Sequence, residues 1–348
     1  MAKQIKEIDE LQQLKKSIRE KTPENLYFFH GDETFLMHHY LNELRKILVD
    51  ELTESFNYHR LNNENFDLSA LAAAVENLPM MADFTMVQVD DIDIFKLTED
   101  QRAKMIEILS DIPEYCTLVF TYETTLWKPD KRLKKLWDTI SGKGRIVEFA
   151  KQEPRELIPW ITRHFAAKGK QISKDLCVYL IDITGGTMTA LSGEIQKISA
   201  YSGADHIVRA DIDAVTEPIL DAVVFQMTDM LGQGQYAAAL AKLQQLLKMQ
   251  QEPLPILGAI GLHFRRISTA RVLMDHGKTA SDLMKLTGIS NYPAQKTMEA
   301  ARRFQRPFCA KAAELILETD RKIKTSFDDP ERLLELLILQ LAQEARRA

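Results

Sequence analysis

Leu26-Tyr27-Phe28-Phe29-His30-Gly31-Asp32-Glu33-Thr34-Phe35-Leu36-Met37 is the stretch on which the reading of the fold turns. Leu26 to Phe29 is an unbroken apolar run without polar alternation, the pattern of a strand buried on both faces. Gly31 ends it. Beyond it the helical spacing places Leu36, Tyr40, Leu44, Ile47 and Leu48 on one face. Further short apolar runs follow at Thr85 to Val89, Thr117 to Thr121 and Arg145 to Phe149. Helical patterns separate them, one through Leu68, Leu71 and Val75 and one through Met105, Ile106 and Leu109. Strands alternating with helices require crossover connections and a parallel sheet covered on both sides. The N-terminal part is therefore α/β.

A strand, a tight turn and a helix form the setting in which nucleotide hydrolases place a phosphate-binding P-loop, GxxxxGK[ST]. Its backbone N–H groups cradle phosphates, its Lys reaches the β- and γ-phosphates and its hydroxyl holds Mg²⁺. After Gly31 there is no second Gly and no Lys, and Asp32 and Glu33 bring two negative charges. Like charges facing a triphosphate oppose its binding. The residues read instead as a capped helix start, with Asp32 or Glu33 favoured by the helix N-terminus. Gly31 marks a degenerate P-loop position, and neither a cofactor nor a catalytic residue is assigned. Gly277-Lys278-Thr279 spells the end of a P-loop, but Val272 stands where the motif needs Gly and the preceding residues look helical, so Gly277 reads as a helix C-terminal glycine. Asp90-Asp91 imitates a metal-holding strand end; without a matching Lys and hydroxyl it reads as a solvated turn.

The 348 residues carry a net charge of −5, which argues against a protein that grips nucleic acid over its whole surface. Cys116, Cys177 and Cys309 are far apart, and no HExxH or GxSxG is present. Adjacent His38 and His39 point to different sides of a helix, so no metal site is expected. The charged, helical beginning is no signal peptide, and no apolar run is long enough to span a membrane. These features imply a cytoplasmic protein. After about residue 150 the patterns are helical only. Residues 151–217 hold a helix opening at Glu156 and others from Leu176 to Ile183 and from Met188 to Tyr201, with Pro218 as a boundary. Residues 218–348 hold longer helices, one with Leu240, Leu243, Leu246 and Leu247 on a face, another with Leu333, Leu336, Leu337 and Leu339. An α/β head followed by a small helical domain is the outline of an AAA+ module, here with an additional all-helical domain.

Three stretches remain as candidate binding surfaces. In Glu76-Asn77-Leu78-Pro79-Met80-Met81-Ala82-Asp83, Pro79 breaks the preceding helix after one further turn and leaves large apolar residues at a helix end. Leu78, Met80 and Met81 either pack under the sheet or form an exposed apolar plug for a partner's pocket. Trp127 to Trp137 and Arg302 to Arg306 are locally basic with aromatics, a solvated helix face or a nucleic-acid patch. Thr279 to Ser290 followed by Gln295 to Ala301 has a helix-turn-helix rhythm whose second helix would present Gln295, Lys296 and Glu299; a helix-turn-helix DNA-binding protein is the alternative reading.

Taken together, the head turn from Leu26 to Leu36, the Leu78-Pro79-Met80-Met81 step and Asp130-Lys131-Arg132-Leu133-Lys134-Lys135-Leu136 resemble the delta subunit of the bacterial DNA polymerase III clamp loader. So do Glu252-Pro253-Leu254-Pro255-Ile256-Leu257 with His263-Phe264-Arg265, Ala300-Ala301-Arg302-Arg303-Phe304, and Thr319-Asp320-Arg321-Lys322-Ile323-Lys324-Thr325. The resemblance spans nearly the whole chain. It implies an AAA+-like clamp-binding head at 1–150, a helical lid at 151–217 and an all-helical collar at 218–348. Its members have no ATPase activity of their own, although they belong to a DNA-directed DNA polymerase holoenzyme. They join tau/gamma and delta-prime subunits in a five-subunit ring, meet primed DNA through the assembled complex, and open the sliding clamp (beta). The positions that match the family's clamp-binding plug are Leu78, Met80 and Met81, with Met where an aromatic is frequent in the family.

Overall fold

The computed structural model describes residues 2–248, 251–289 and 291–347. The chain divides into two compact units, Met1–Lys151 and Gln152–Ala348. In the first, α1 (Ala2–Glu20) precedes β1 (Leu26–His30) and α2 (Thr34–Leu48). Then come α3 (Glu54–Asn57), β2 (Tyr58–Leu61), α4 (Leu68–Glu76) and β3 (Thr85–Asp90). The unit closes with α5 (Glu99–Ser110), β4 (Cys116–Tyr122), α6 (Lys134–Lys143) and β5 (Arg145–Glu148).

All pairings are parallel, in the order β2-β3-β4-β1-β5. This is the α/β arrangement with a parallel sheet expected from the alternating strands and helices. Pleating sends alternate residues of each strand to opposite faces. Leu26, Phe28, Val87, Val89, Leu118 and Phe120 pack with Leu71 of α4, Met105 of α5 and Ile140 of α6. Tyr27, Phe29, Met86, Val119 and Val147 pack with Leu14 of α1 and with Met37, Leu41, Leu44 and Leu48 of α2. The buried stripe of α2 is thus turned from the expected one. Leu36, Tyr40 and Ile47 lie at its margin, because an i, i+4, i+7, i+11 set centred on Met37 faces the sheet squarely. The edge strand β2 was not marked by the apolar pattern: Tyr58-His59-Arg60-Leu61 buries only Leu61.

The second unit is helical. It begins with α7 (Pro154–Ala166), α8 (Lys174–Thr184), α9 (Met188–Tyr201) and α10 (Arg209–Val215), the last of which the pattern did not mark. It continues through α11 (Leu220–Gly232), α12 (Tyr236–Lys248), α13 (Pro253–Asp275), α14 (Ala280–Thr287), α15 (Asn291–Ala301), α16 (Arg306–Thr325) and α17 (Pro330–Arg347). A core built around Phe264, Phe304 and Phe308 gathers residues of α11 to α17. On α17 the buried face is Leu333, Leu334, Leu337, Ile338 and Leu341, whereas Leu336 and Leu339 are exposed. The expected face mixed two sides of the helix, since residues three apart but starting from 336 fall outside the 3.6-residue stripe.

Candidate functional site

The turn after β1 is closed by the protein's own backbone. The Phe149 N–H donates to the His30 carbonyl at 2.7 Å, and the Glu33 N–H donates to the Phe149 carbonyl at 2.9 Å. Gly31 has φ +123°, and a Cβ there would stand 2.4 Å from the Phe149 oxygen. The chain leaving β5 therefore takes up the Glu33 N–H, one of the groups that a helix N-terminus would offer to an anion. Glu33 occupies the N-cap of α2 without a side-chain cap bond. The expected side-chain cap at Glu33 is therefore absent, and the residue is buried, 1% exposed.

Beside this turn, Trp127 packs on His30 and Tyr122 at the ends of β1 and β4, with ring centroids 5.6 and 4.7 Å away. It also meets Phe28 and Phe95. Its indole belongs to the sheet's packing and not to a nucleic-acid patch, and Lys131 lies over the Trp137 ring. Asp90 and Asp91 do not form a solvated turn. Asp90 accepts from Arg60 Nε at 2.5 Å and from Gln88 Nε2 and Thr121 Oγ1 at 2.6 Å. Asp91, with φ +56°, accepts the N–H groups of Glu123, Thr124 and Thr125, each at 2.9 Å. Burial pushes its carboxyl up, and the bonds from Thr125, Thr124 and Glu123 outweigh that and hold it below the usual range. Both carboxylates are consumed in shaping the strand ends, and no group of three or more metal-ligating side chains occurs among the described residues.

The apolar step lies on the segment between α4 and β3. Helix α4 is started by Asp67, whose carboxylate accepts from the Ser69 and Ala70 N–H groups. It ends at Glu76, earlier than Pro79 alone would require, because Asn77 is already extended at φ −62°, ψ 124°. The step is thus a loop rather than a helix end. Its ends are tied together: Tyr115 Oη donates to the Glu76 carbonyl at 3.0 Å, and the Thr85 N–H donates to the Tyr115 carbonyl at 2.8 Å. Of the two arrangements open to the step, the exposed one holds. Leu78 is 68% exposed, Met80 52% and Met81 95%, with Phe84 exposed at the base of the loop and Phe56 exposed on α3.

Asn57, which the sequence did not single out, fixes this loop. It is fully buried; its Nδ2 donates to the Met80 carbonyl at 2.9 Å, and its Oδ1 accepts the Met80 N–H at 2.8 Å. Asn77 Nδ2 donates to the Phe56 carbonyl at 3.4 Å and lies 3.1 Å from His59 Nε2. No periodic signal marks Asn57, because its partner lies across the sheet edge and not on its own element.

The remaining candidates are occupied otherwise. Lys296 pairs with Asp182, which also accepts from Tyr292 Oη at 2.8 Å. The helix-turn-helix rhythm does correspond to α14, the left-handed Gly288 and α15, with Ser290 outside the described residues. Its expected basic face is nevertheless reduced to exposed Gln295 and Glu299. Arg303 pairs with Asp229, Arg306 with Asp275 at 2.5 Å, and Phe304 is buried. Gly277 follows the end of α13 with φ +67°, a helix terminus and not a phosphate loop.

Residues 27–150 match the family described as DNA polymerase III, delta subunit, and residues 221–341 match its C-terminal domain. The chain is 23% identical over 332 residues to DNA polymerase III subunit delta of Bacillus subtilis, covering 94% of this chain and 95% of that one. It is 23% identical over 292 residues to a probable DNA polymerase III subunit delta of Aquifex aeolicus, covering 80% of each. The fold is similar to that of the Bacillus subtilis DNA clamp loader delta protein, with a TM-score of 0.65 at 22% identity over 95% of this chain and 99% of that structure.

Proposed function

The chain belongs to the family of DNA polymerase III delta subunits, and from that premise we propose that it grips the sliding clamp by lodging Leu78, Met80 and Met81 in an apolar pocket of that ring. The observation that carries this reading is the exposure of three large apolar side chains on a loop whose backbone is tied down at both ends and at Met80. Single exposed apolar residues are ordinary, but a contiguous group on a held loop is a docking feature. Loading clamps onto primed DNA during replication is the task such a grip serves. The ring opens because the subunit binds an open or strained clamp interface more tightly than the closed one; a ligand moves such an equilibrium only by that difference.

Burying three such side chains is worth roughly 4–9 kcal/mol gross, against an association cost of about 4–15 kcal/mol. The loop therefore needs polar neighbours to bind tightly, and its fixed backbone lowers the ordering cost. The chain itself hydrolyses nothing in this scheme. Tau/gamma and delta-prime subunits complete a five-membered ring with it and supply the ATP-driven control. Residues 1–150 form the head, 151–217 the lid and 218–348 the collar that joins the ring, and the complex works in the cytoplasm. The test replaces Leu78, Met80 and Met81 together with Ala and titrates the variant with purified clamp by calorimetry. Clamp binding is lost at an unchanged thermal midpoint; wild-type affinity would remove the assignment.

A further inference from the structure

We propose that Asn57 is a positioning residue for clamp binding: its side-chain amide holds the Met80 backbone in the one conformation that projects Leu78, Met80 and Met81 outward. The inference rests on the reading that this loop contacts the clamp. Asn57 sits where α3 passes into β2, the edge strand laddered to β3 through Tyr58 and Met86. From that fixed point its amide exchanges two hydrogen bonds with a single residue, donating to the Met80 carbonyl at 2.9 Å and accepting the Met80 N–H at 2.8 Å. The pattern is what a neighbouring strand offers to a residue of a ladder, here supplied by a side chain.

The chemistry requires an amide. A carboxylate offers only acceptors and would face the Met80 carbonyl with charge, and an aliphatic group offers nothing. The amide's orientation is fixed by the pair it serves, since the N–H of Met80 must meet oxygen and its carbonyl must meet nitrogen. The next residue, Met81, has φ +54°, a left-handed conformation that a non-glycine residue keeps only when its surroundings impose it. With Asn57 on one side and the Tyr115 tie across the loop's ends, residues 77–84 have little freedom to relax and bury their side chains. An apolar loop released from such a hold collapses onto its own protein, and the ordering cost then falls on the binding step.

The experiment titrates the full chain with purified sliding clamp in five forms: wild type, Asn57→Ala, Asn57→Asp, the triple Leu78→Ala, Met80→Ala, Met81→Ala, and that triple combined with Asn57→Ala. Amide exchange of Met80 is followed alongside. Both Asn57 variants should bind about tenfold more weakly, and Asn57→Ala should add no further loss in the triple-Ala background. In wild type the Met80 amide should exchange slowly; in Asn57→Ala it should exchange fast while the amides of β4 keep their rates. Wild-type affinity of the Asn57 variants, with the triple variant impaired, would overturn the positioning role and leave the clamp contact standing. Wild-type affinity of the triple variant would overturn the clamp contact itself. If Asn57→Ala does not fold, the wild-type exchange decides alone: a Met80 amide as fast as an unprotected loop amide overturns the proposal.

Discussion

Gly31 carries φ +123°, and the space a Cβ would enter is already held by the Phe149 carbonyl, 2.4 Å away. Substitution by Ala forces both an unfavourable backbone region and a clash with backbone that cannot turn aside. Gly31→Ala should therefore cost about 2–5 kcal/mol, read as a lowered urea midpoint. His263 is the second residue whose setting has a measurable consequence. It lies buried in the helical unit against Phe225 and Phe264, and its Nε2 has no hydrogen-bond partner among the described residues. Burial, reinforced by the charge of Arg266, pushes its pKa down from 6.5 to about 4. Between those values the unfolded chain binds a proton that the folded chain refuses, so stability falls as pH is lowered through that window. His263→Leu should remove this component, on the order of 3 kcal/mol by pH 4. Urea midpoints of variant and wild type at pH 7, 5 and 4 check it; parallel curves would contradict it.

Elements differ in how openly the sequence announces them. Strands β1, β3 and β4 bury nearly every residue, so unbroken apolar runs identify them, and the parallel sheet follows from their alternation with helices. β2 is an edge strand and α10 is a short helix; the first exposes Arg60 and the second buries only Ile212, and neither has the apolar density that a periodicity reading requires. The stripes of α2 and α17 were recognised but misphased, since leucines are frequent enough to suggest more than one face until a neighbouring layer selects one. At the loop between α4 and β3 the residue types were legible and their direction was not. Leu78, Met80 and Met81 are equally suited to a core and to a partner's pocket, and the deciding contacts come from Asn57 and Tyr115, 23 and 39 residues from their partners in the chain.

At the scale of the whole chain, several charged groups that could have served nucleotide or DNA are engaged within the protein. Asp90 and Asp91 shape strand ends, Glu33 is buried beside the β1 turn, and Lys296, Arg303 and Arg306 each face a carboxylate. The turn after β1 is closed against the Phe149 backbone, which takes up the Glu33 N–H. Equilibrium dialysis of the isolated chain against ATP and Mg²⁺ should accordingly give no saturable binding; micromolar binding that Gly31→Ala abolishes would contradict this.

The attachment of the apolar loop to β3 sets how the molecule bears tension. β3 is an inner strand, laddered to β2 on one side and to β4 on the other. A tug at Met81 passes through Asp83 and Phe84 straight into Thr85, the first rung of the β3–β4 ladder, with the β2–β3 ladder beginning one residue later at Met86. Drawn along the strand axis, those bonds share the load in shear and must yield together, whereas a helix terminus would unravel one turn at a time. The loop is anchored like a rope spliced into a net, so that a force applied to it is carried by the sheet that holds it.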